Sequence, residues 1–303
     1  MARGTEKKTS AGRRRIDAVA KRARRKISLR AIPDVVQASV RKTPFLSILR
    51  TPRRGNSPLS MGEVLSVSTY NVHRWMGVTG RSRPDSSRAC FVIGELDVDI
   101  IALQEVLLPT DGPNPLDAVC DALGLHLVFA ATRVHKKGQL GNAILSRFPI
   151  AAASVLDISH SRIERRGALG VQLGDTRTGG FGVVATHLSL VDRTRERQVE
   201  SLLAHTQFHS GPSVLLGDMN AWRRCKATRT LNEELEAHNN RHWPASFPSA
   251  RPVLALDRVY ANNAKLLEVH AHDTQAARRA SDHLPIIAYV EVASGASSRR
   301  KRA

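Results

Sequence analysis

The chain has 303 residues, of which 42% are hydrophobic and 4% aromatic, and a formal net charge of +19. That length and apolar content allow a sizeable core, in one large domain or two small ones, and exclude a wholly disordered chain. The charge is concentrated at the ends: residues 1–60 hold 17 Lys/Arg against Glu6, Asp17 and Asp34, and Arg299, Arg300, Lys301 and Arg302 close the sequence, leaving +1 for residues 61–298, which argues against a long basic groove for duplex phosphates.

Residues 1–61 read as a basic tail and linker. Ile16, Val19, Ala20, Ala23 and Ile27 recur at helical spacing among Arg15, Lys21, Arg22, Arg24, Arg25 and Lys26, the pattern of a basic amphipathic helix that lies on an anionic membrane. A disordered, RNA-adhesive tail or an organellar transit peptide shares that composition, and Met61 leaves open that residues 1–60 are an upstream extension. The stretch "TPRRGNSPLS" at 51–60 reads as a Pro/Gly/Ser linker, with a domain expected over 62–293 and a second basic tail over 294–303.

From residue 64 onward, short apolar runs alternate with helical ones. Strands are predicted at 64–70, 100–103, 125–130, 143–146, 151–156, 168–173, 181–186, 214–216, 256–260, 266–270 and 285–292, and helices at 84–96, 115–123 and 192–208. In the last helix Val199, Leu202 and Leu203 share a face and Asp192 can cap the first turn. Many strands and few helices point to two packed sheets covered outside by helices. "GDTRTGGFG" reads as a hairpin turn, and no internal repeat or Gly-rich phosphate loop is visible. Cys90, Cys120 and Cys225 are an odd number without CxxC spacing, which fits a reducing, cytoplasmic compartment better than a disulfide framework or a zinc site. No apolar run approaches the ~18 residues of a membrane span, and no secretory h-region precedes the tail.

Polar residues recur at the strand ends. Asn71 follows the first strand in "TYNVHRW", Glu105 the second in "IIALQEV", His187 another in "ATHL", and Asp218 and Asn220 the run "VLLGDMN"; Asn142 stands in "GNAILSR", Asp257 in "LALDRVY", Asp282 and His283 in "SDHLPI". A single crevice beyond the strand ends could collect them. Hard oxygen donors such as Glu105 and Asp282, without Cys, suit Mg²⁺ or Mn²⁺ and hence phosphoester hydrolysis. Asn71 and Asn220 can orient ligands or donate to a phosphate oxygen, and a His beside an acid handles protons or serves as a charged donor. Each residue alone has a structural alternative, such as an ion pair of Asp257 with Arg258.

At "NVH", "LQEV", "GNAILSR", "ATHL", "GDMN", "LDRV" and "SDHLP" the sequence resembles the endonuclease/exonuclease/phosphatase superfamily, over about residues 64–292. The resemblance implies a four-layer α/β sandwich, with two central mixed β-sheets flanked by helices and the active site at one end. It implies a divalent metal, usually Mg²⁺, near Glu105, with Asn71 and Asp282 in or beside its shell. By the same resemblance Asp218 and Asn220 position or deprotonate the attacking water and contact the phosphate, Asp257 orients His283, and His283 and His187 stabilise phosphate charge or assist proton transfer. Asn142 and Arg166, the latter in "RRGALGV", are the expected substrate contacts. The reaction implied is in-line attack of water without a covalent intermediate, with either Asp218 or His283 as general base.

"ATHL" is similar to the form in DNase I and sphingomyelinases, and differs from the tyrosine-and-asparagine motif of abasic-site endonucleases. "TYNVHRWMGVTGR" and "SFPSARPVLALDRVY" look most like bacterial cytoplasmic members associated with lipids. The leading expectation is therefore a monomeric phosphodiesterase of a phospholipid or related phosphodiester, held at an anionic membrane by its basic tail. A Mg²⁺-dependent nuclease acting on DNA or RNA is the alternative, and a non-catalytic binding module the third reading. The loop with Trp243, Phe247 and Arg251 is either part of a substrate pocket or an ordinary packed loop.

Overall fold

The computed structural model describes residues 43–53, 60–135, 137–160, 164–174, 180–204, 211–237 and 242–292. Twelve strands form two sheets. In chain order they are β1 (Phe45–Arg50), β2 (Val64–Asn71), β3 (Ile100–Pro109), β4 (His126–His135), β5 (Gly138–Ser146), β6 (Ile150–Asp157), β7 (Gly167–Leu173), β8 (Phe181–His187), β9 (Ser213–Asp218), β10 (Asp257–Asn262), β11 (Ala264–Ala271) and β12 (Ile286–Val292). The larger sheet runs β1-β4-β5-β3-β2-β12-β11 and the smaller β10-β9-β8-β7-β6. The helices are α1 (Ser87–Leu96), α2 (Asp117–Leu123), α3 (Asp192–Leu203), α4 (Lys226–Glu234) and α5 (Ala277–Ala280).

Alternation along the strands builds four layers. Leu65, Val67, Ile100, Ala102 and Ile144 of the larger sheet meet Leu169, Val171, Val183, Ala185, Val214, Leu216 and Val259 of the smaller one in a central core. Tyr70, Ile101 and Leu103 point the other way, onto Ala89, Val92, Ile93 and Leu96 of α1 and the small residues of α5. Val184, Leu215 and Tyr260 face Val199 and Leu202 of α3 and Ala227 and Leu231 of α4. Strands buried on both faces need apolar residues at every position, which explains why "VLL" in β9 is continuous rather than alternating. Full burial of each such Val or Leu stabilises the fold by about 1.5–3 kcal/mol. The architecture is the four-layer α/β sandwich expected from the sequence.

Each sheet contains one parallel pair, β2 with β3 and β8 with β9, joined by crossovers through α1 and α3. The carboxyl ends of β2, β8 and β9 carry Asn71, His187 and Asp218, and Glu105 stands at a bulge midway along β3. In the registers, Asn71 lies beside Gln104 and His187 beside Asp218. Gly217 has φ +152°, and a Cβ there would collide with the carbonyl oxygen of Thr186 on β8, so only glycine lets β9 run this close to its neighbour up to Asp218.

All eleven predicted strands are present, with ends shifted by a few residues, and the three predicted helices correspond to α1, α2 and α3. Three elements lie outside the expectation: β1, α4 and the four-residue α5. Phe45–Arg50 belongs to the folded domain, as the edge strand β1 paired with β4, so the domain starts before Gly62; its six residues are only half-buried. α4 was not read either, because its sequence is polar, with Ala227, Thr228 and Leu231 as its buried face. The amphipathic helix expected within residues 15–27, the C-terminal tail and the tip of the "GDTRTGGFG" turn lie outside the described residues. β7 and β8 on either side of that turn pair antiparallel, as a hairpin requires.

Candidate active site

The centre of the site is the carboxylate of Asp218. Its Oδ2 accepts a hydrogen bond from Asn71 Nδ2 at 3.1 Å and lies 3.4 Å from His187 Nε2 and 3.8 Å from His283 Nε2. Oδ1 accepts the backbone N–H of Asn220 at 2.8 Å, which closes the turn after β9. Asn220 itself has φ 49°, and its Nδ2 donates to Leu188 O at 2.9 Å. That leaves one amide N–H and the carbonyl oxygen for a ligand.

Asp257 lies directly opposite Asp218 in the β10–β9 ladder. Two buried carboxylates face to face would repel each other, and His283 relieves this. Its Nδ1 bonds Asp257 Oδ2 at 2.7 Å, and Ser246 Oγ donates to the same oxygen at 2.6 Å. Burial pulls the imidazole pKa down, but the charges of Asp257 and Asp218, the hydrogen bond to Asp257 and the charge of Asp282 outweigh it and push it up to about 10. His283 is therefore a cation at neutral pH. His187 behaves oppositely: burial first, then the charge of Arg166, hold it down to about 3 against the pull of Asp218. Two histidines within reach of one carboxylate thus carry different protonation states. Arg258 takes no part in the carboxylate cluster, since it donates to the carbonyl oxygens of Ala255 and Ala221 and to Tyr260 Oη.

Glu105 and Asp282 stand on the larger-sheet side. Glu105 sits in a bulge where β3 shifts register between Leu103 and Val106, with φ 53°; such left-handed geometry in a glutamate is costly and re-aims a side chain. Arg74 Nε reaches Glu105 Oε2 at 3.1 Å, and His73 Nδ1 lies 3.2 Å from Asp282 Oδ1. His73, Arg74 and Trp75 all have positive φ, so a tight left-handed turn follows Asn71. Asp282 is held above the ordinary carboxylate range by burial, with the charge of Glu105 adding, against the opposing pull of His283 and His73. Ser281 Oγ donates to Asn71 O at 2.6 Å and ties the "SDH" segment to the end of β2.

Two constellations could hold a cation. The ligand atoms of Asp218, Asp257 and His283 lie within 4.8 Å of one another and all three residues are buried. His283 Nδ1 there is engaged with Asp257 Oδ2 at 2.7 Å and Ser246 Oγ donates to the same oxygen, so these two donor atoms already have partners. Glu105 and Asp282 fit better: their side chains are 23% and 21% exposed, both are hard oxygen donors, and the Arg74 guanidinium already sits against Glu105. The Oδ1 of Asn71 accepts only the His73 N–H among described residues, so a lone pair remains for a third ligand.

A cavity of about 250 Å³ adjoins these residues, lined by Arg74, Glu105, Arg133, Asn142, Glu164, Arg165, Arg166 and His187 among others. Four arginines against two glutamates favour an anionic ligand. Asn142 donates to Gly167 O at 3.0 Å, and Arg166 bonds Glu164 Oε1 at 2.8 Å. The fold therefore gathers Asn71, His187, Asp218, Asn220, Asp257, Asp282 and His283 in one network, with Glu105, Asn142 and Arg166 on the wall beside it. Trp243 packs away from the network, on Tyr260 with ring centroids 5.1 Å apart, whereas Phe247 packs on the His283 ring at 5.0 Å and so borders the site. Ser246, Ser281 and Arg74 were not identified from sequence. Ser281 and Arg74 adjoin "DH" and "NVH", whereas Ser246 is eleven residues from Asp257 and carries no local signal.

The endonuclease/exonuclease/phosphatase family model matches residues 70–283, from the residue before Asn71 to His283. The chain belongs to this family. Its members are generally hydrolases acting on phosphoester bonds. Among curated relatives, the uncharacterized protein YbhP of Escherichia coli (strain K12) is 30% identical over 251 residues, which cover 75% of this chain and 96% of YbhP. Among solved structures, an endonuclease/exonuclease/phosphatase from Beutenbergia cavernae DSM 12333 matches with a TM-score of 0.61 at 23% identity, over 76% of this chain and 72% of that one. The human Nocturnin catalytic domain, solved with a bound sulfate anion, matches with a TM-score of 0.60 at 18% identity, over 76% and 93%. Both structural likenesses concern the fold.

Proposed function

We propose that this family member is a divalent-metal-dependent phosphodiester hydrolase that uses in-line attack by water, with a phospholipid or related phosphodiester as substrate. The observation that carries the reading is geometric: Asp218 Oδ2, held by Asn71 Nδ2, lies 3.8 Å from Nε2 of His283, whose ring is locked by Asp257 and braced through Ser246. The Asn71 and Asp257 sides fix Asp218 and His283 independently, so the acceptor and the charged donor are set before substrate arrives.

In this mechanism Asp218 Oδ2 takes the proton from water as the water oxygen bonds to phosphorus and the ester bond to the leaving oxygen breaks. His283, already protonated, serves as hydrogen-bond donor to the phosphoryl group through Nε2 and can pass its proton to an alkoxide, which is far more basic. This assigns the base role to Asp218 of the two candidates. Neutral His187 donates a hydrogen bond without adding charge, and Asn71 holds Asp218. Arg166, Arg165 and Asn142 bind the non-scissile part of the anion. Glu105 and Asp282, with the Asn71 carbonyl oxygen, would hold Mg²⁺ or Mn²⁺, which would neutralise phosphate charge and polarise the ester.

The lysine- and arginine-rich tail within residues 1–42 would tether a monomer to an anionic membrane. A nuclease is the second reading, favoured by the arginine-lined cavity, which suits any phosphodiester backbone. The test is hydrolysis of an aryl phosphodiester, phosphatidylglycerol vesicles and single-stranded DNA, with and without Mg²⁺ or Mn²⁺, by the parent, Asp218→Asn and His283→Ala. The expected outcome is metal-dependent turnover, fastest on the vesicles, that falls about 10²–10⁴-fold in both variants. Preferential cleavage of DNA would select the nuclease, and variants as active as the parent would sink the hydrolase.

A further inference from the structure

After His187 the chain runs through Leu188, Ser189, Leu190 and Val191 into α3. After Asn220 it runs through Ala221, Trp222, Arg223 and Arg224 towards α4. Leu190, Val191 and Trp222 are large apolar side chains exposed by 57%, 58% and 47%, in the two loops that leave His187 and Asn220 of the site. Apolar side chains of this size gain from being removed from water, so three clustered in the loops beside the site call for a partner.

The two loops form one surface. Asn220 Nδ2 donates to Leu188 O at 2.9 Å, and the buried Arg195 donates to Ser189 O at 2.6 Å while its guanidinium carbon lies 5.9 Å from the Trp222 ring centroid. Arg223 crosses to Asp192 Oδ2 at 2.8 Å. The apolar side chains are thus mounted on a braced base and ringed by the exposed Arg193, Arg223 and Arg224.

A tryptophan and two aliphatic residues among arginines match the interfacial layer of an anionic bilayer, where indole sits at headgroup level, aliphatic groups reach the acyl boundary and guanidinium groups meet phosphates. Single-stranded nucleic acid is held on successive aromatic platforms, and only one of these three residues is aromatic. A stable contact with a second copy needs about 1,000 Å² or more with good complementarity, beyond what three side chains supply.

We infer that the loops spanning 188–191 and 221–224 are a membrane-docking rim that sets the mouth of the site against an anionic lipid surface. The inference rests on the hydrolase reading only for its consequence, delivery of a lipid phosphodiester to Asp218. The contact itself needs no turnover.

The test uses the full chain and vesicles of phosphatidylglycerol and phosphatidylcholine, with brominated acyl chains as a fluorescence quencher. It is run in about 0.5 M salt, where a Debye length of roughly 4 Å suppresses binding through the basic tail. Trp75 is buried and Trp243 half-buried, so bilayer quenching should report Trp222. The expected result is quenching in the parent, its loss in Trp222→Phe, and vesicle affinity at least about tenfold weaker in the double variant Leu190→Ser, Val191→Ser at an unchanged melting temperature. No quenching in the parent, undiminished affinity in the double variant, or burial of Trp222 by single-stranded DNA or by concentration-dependent dimerisation in place of vesicles would overturn it. A chain that docks but cleaves no diester would contradict the hydrolase reading alone.

Discussion

Asp257→Asn isolates the charge on His283 from its position. The asparagine carbonyl oxygen can still accept from His283 Nδ1 and Ser246 Oγ, now at 2.7 and 2.6 Å, so the ring stays oriented while one negative charge disappears. In the parent, the rise from 6.5 to about 10 corresponds to about 5 kcal/mol at 1.36 kcal/mol per pKa unit. Asp257 is the largest upward contribution, and burial continues to pull down once it is gone. We expect His283 to titrate at least about two units lower, roughly 3 kcal/mol, which brings it near neutrality. Above that pH the phosphate loses its imidazolium, and kcat should fall about 10²-fold, the lower end of what a positioned proton donor contributes. The assay is kcat/KM from about pH 5 to about pH 10 for parent and variant, with NMR titration of the ring. An alkaline limb that coincides with the parent's, in a folded variant, would refute the reasoning.

Stability should respond to pH in opposite directions through the two histidines. His187, held at about 3, contributes fully above its unfolded value near 6.5, and the contribution is lost as pH falls from there towards 3; His283 contributes fully below about 6.5 and loses it as pH rises towards 10. Thermal melts of His187→Gln should therefore show a flatter acid limb and an unchanged alkaline one, and a parallel acid limb would contradict this. A chain lacking residues 1–60, and with them β1, exposes the edge of β4 and should melt roughly 10 °C below one lacking only 1–42, at about 3 kcal/mol; equal melting temperatures for the two would show that β1 adds nothing. Gly217→Ala should cost about 3 kcal/mol in urea unfolding, from its collision with Thr186 O and its φ, and should lower kcat by displacing Asp218. Parent-like stability would refute that account.

The strands were legible because this architecture buries both faces of its central sheets, so β2, β3, β8 and β9 appear as apolar runs that end in polar residues. The site was legible for the same reason: Asn71, His187 and Asp218 stand where an apolar run stops, and Glu105 stands out as an acid interrupting one. β1 was hidden because an edge strand is only half-buried, and "FLSILR" lies between "RKTP" and "TPRRG", which signal turns and charge. α4 was hidden because it carries little apolar mass: its buried face is only Ala227, Thr228 and Leu231. Ser246 and the Arg74–Glu105 pair depend on contacts between distant segments, and the opposite charge states of His187 and His283 arise from burial and neighbours that no linear motif encodes.

The hydrogen bond from Asn71 to Asp218 and the one between His283 and Asp257 each join the larger sheet's strands and loops to a residue of the smaller sheet. Neither half of the sandwich holds an operative centre alone, so activity can emerge only after the sheets have docked. A nascent or partly denatured chain is then chemically silent, and the recovery of turnover during refolding is a clock for that last docking event. Residues deep between the sheets, such as Val67 and Val183, become tuning positions, because a small slide of one layer over the other alters both bonds at once without any change to the catalytic side chains.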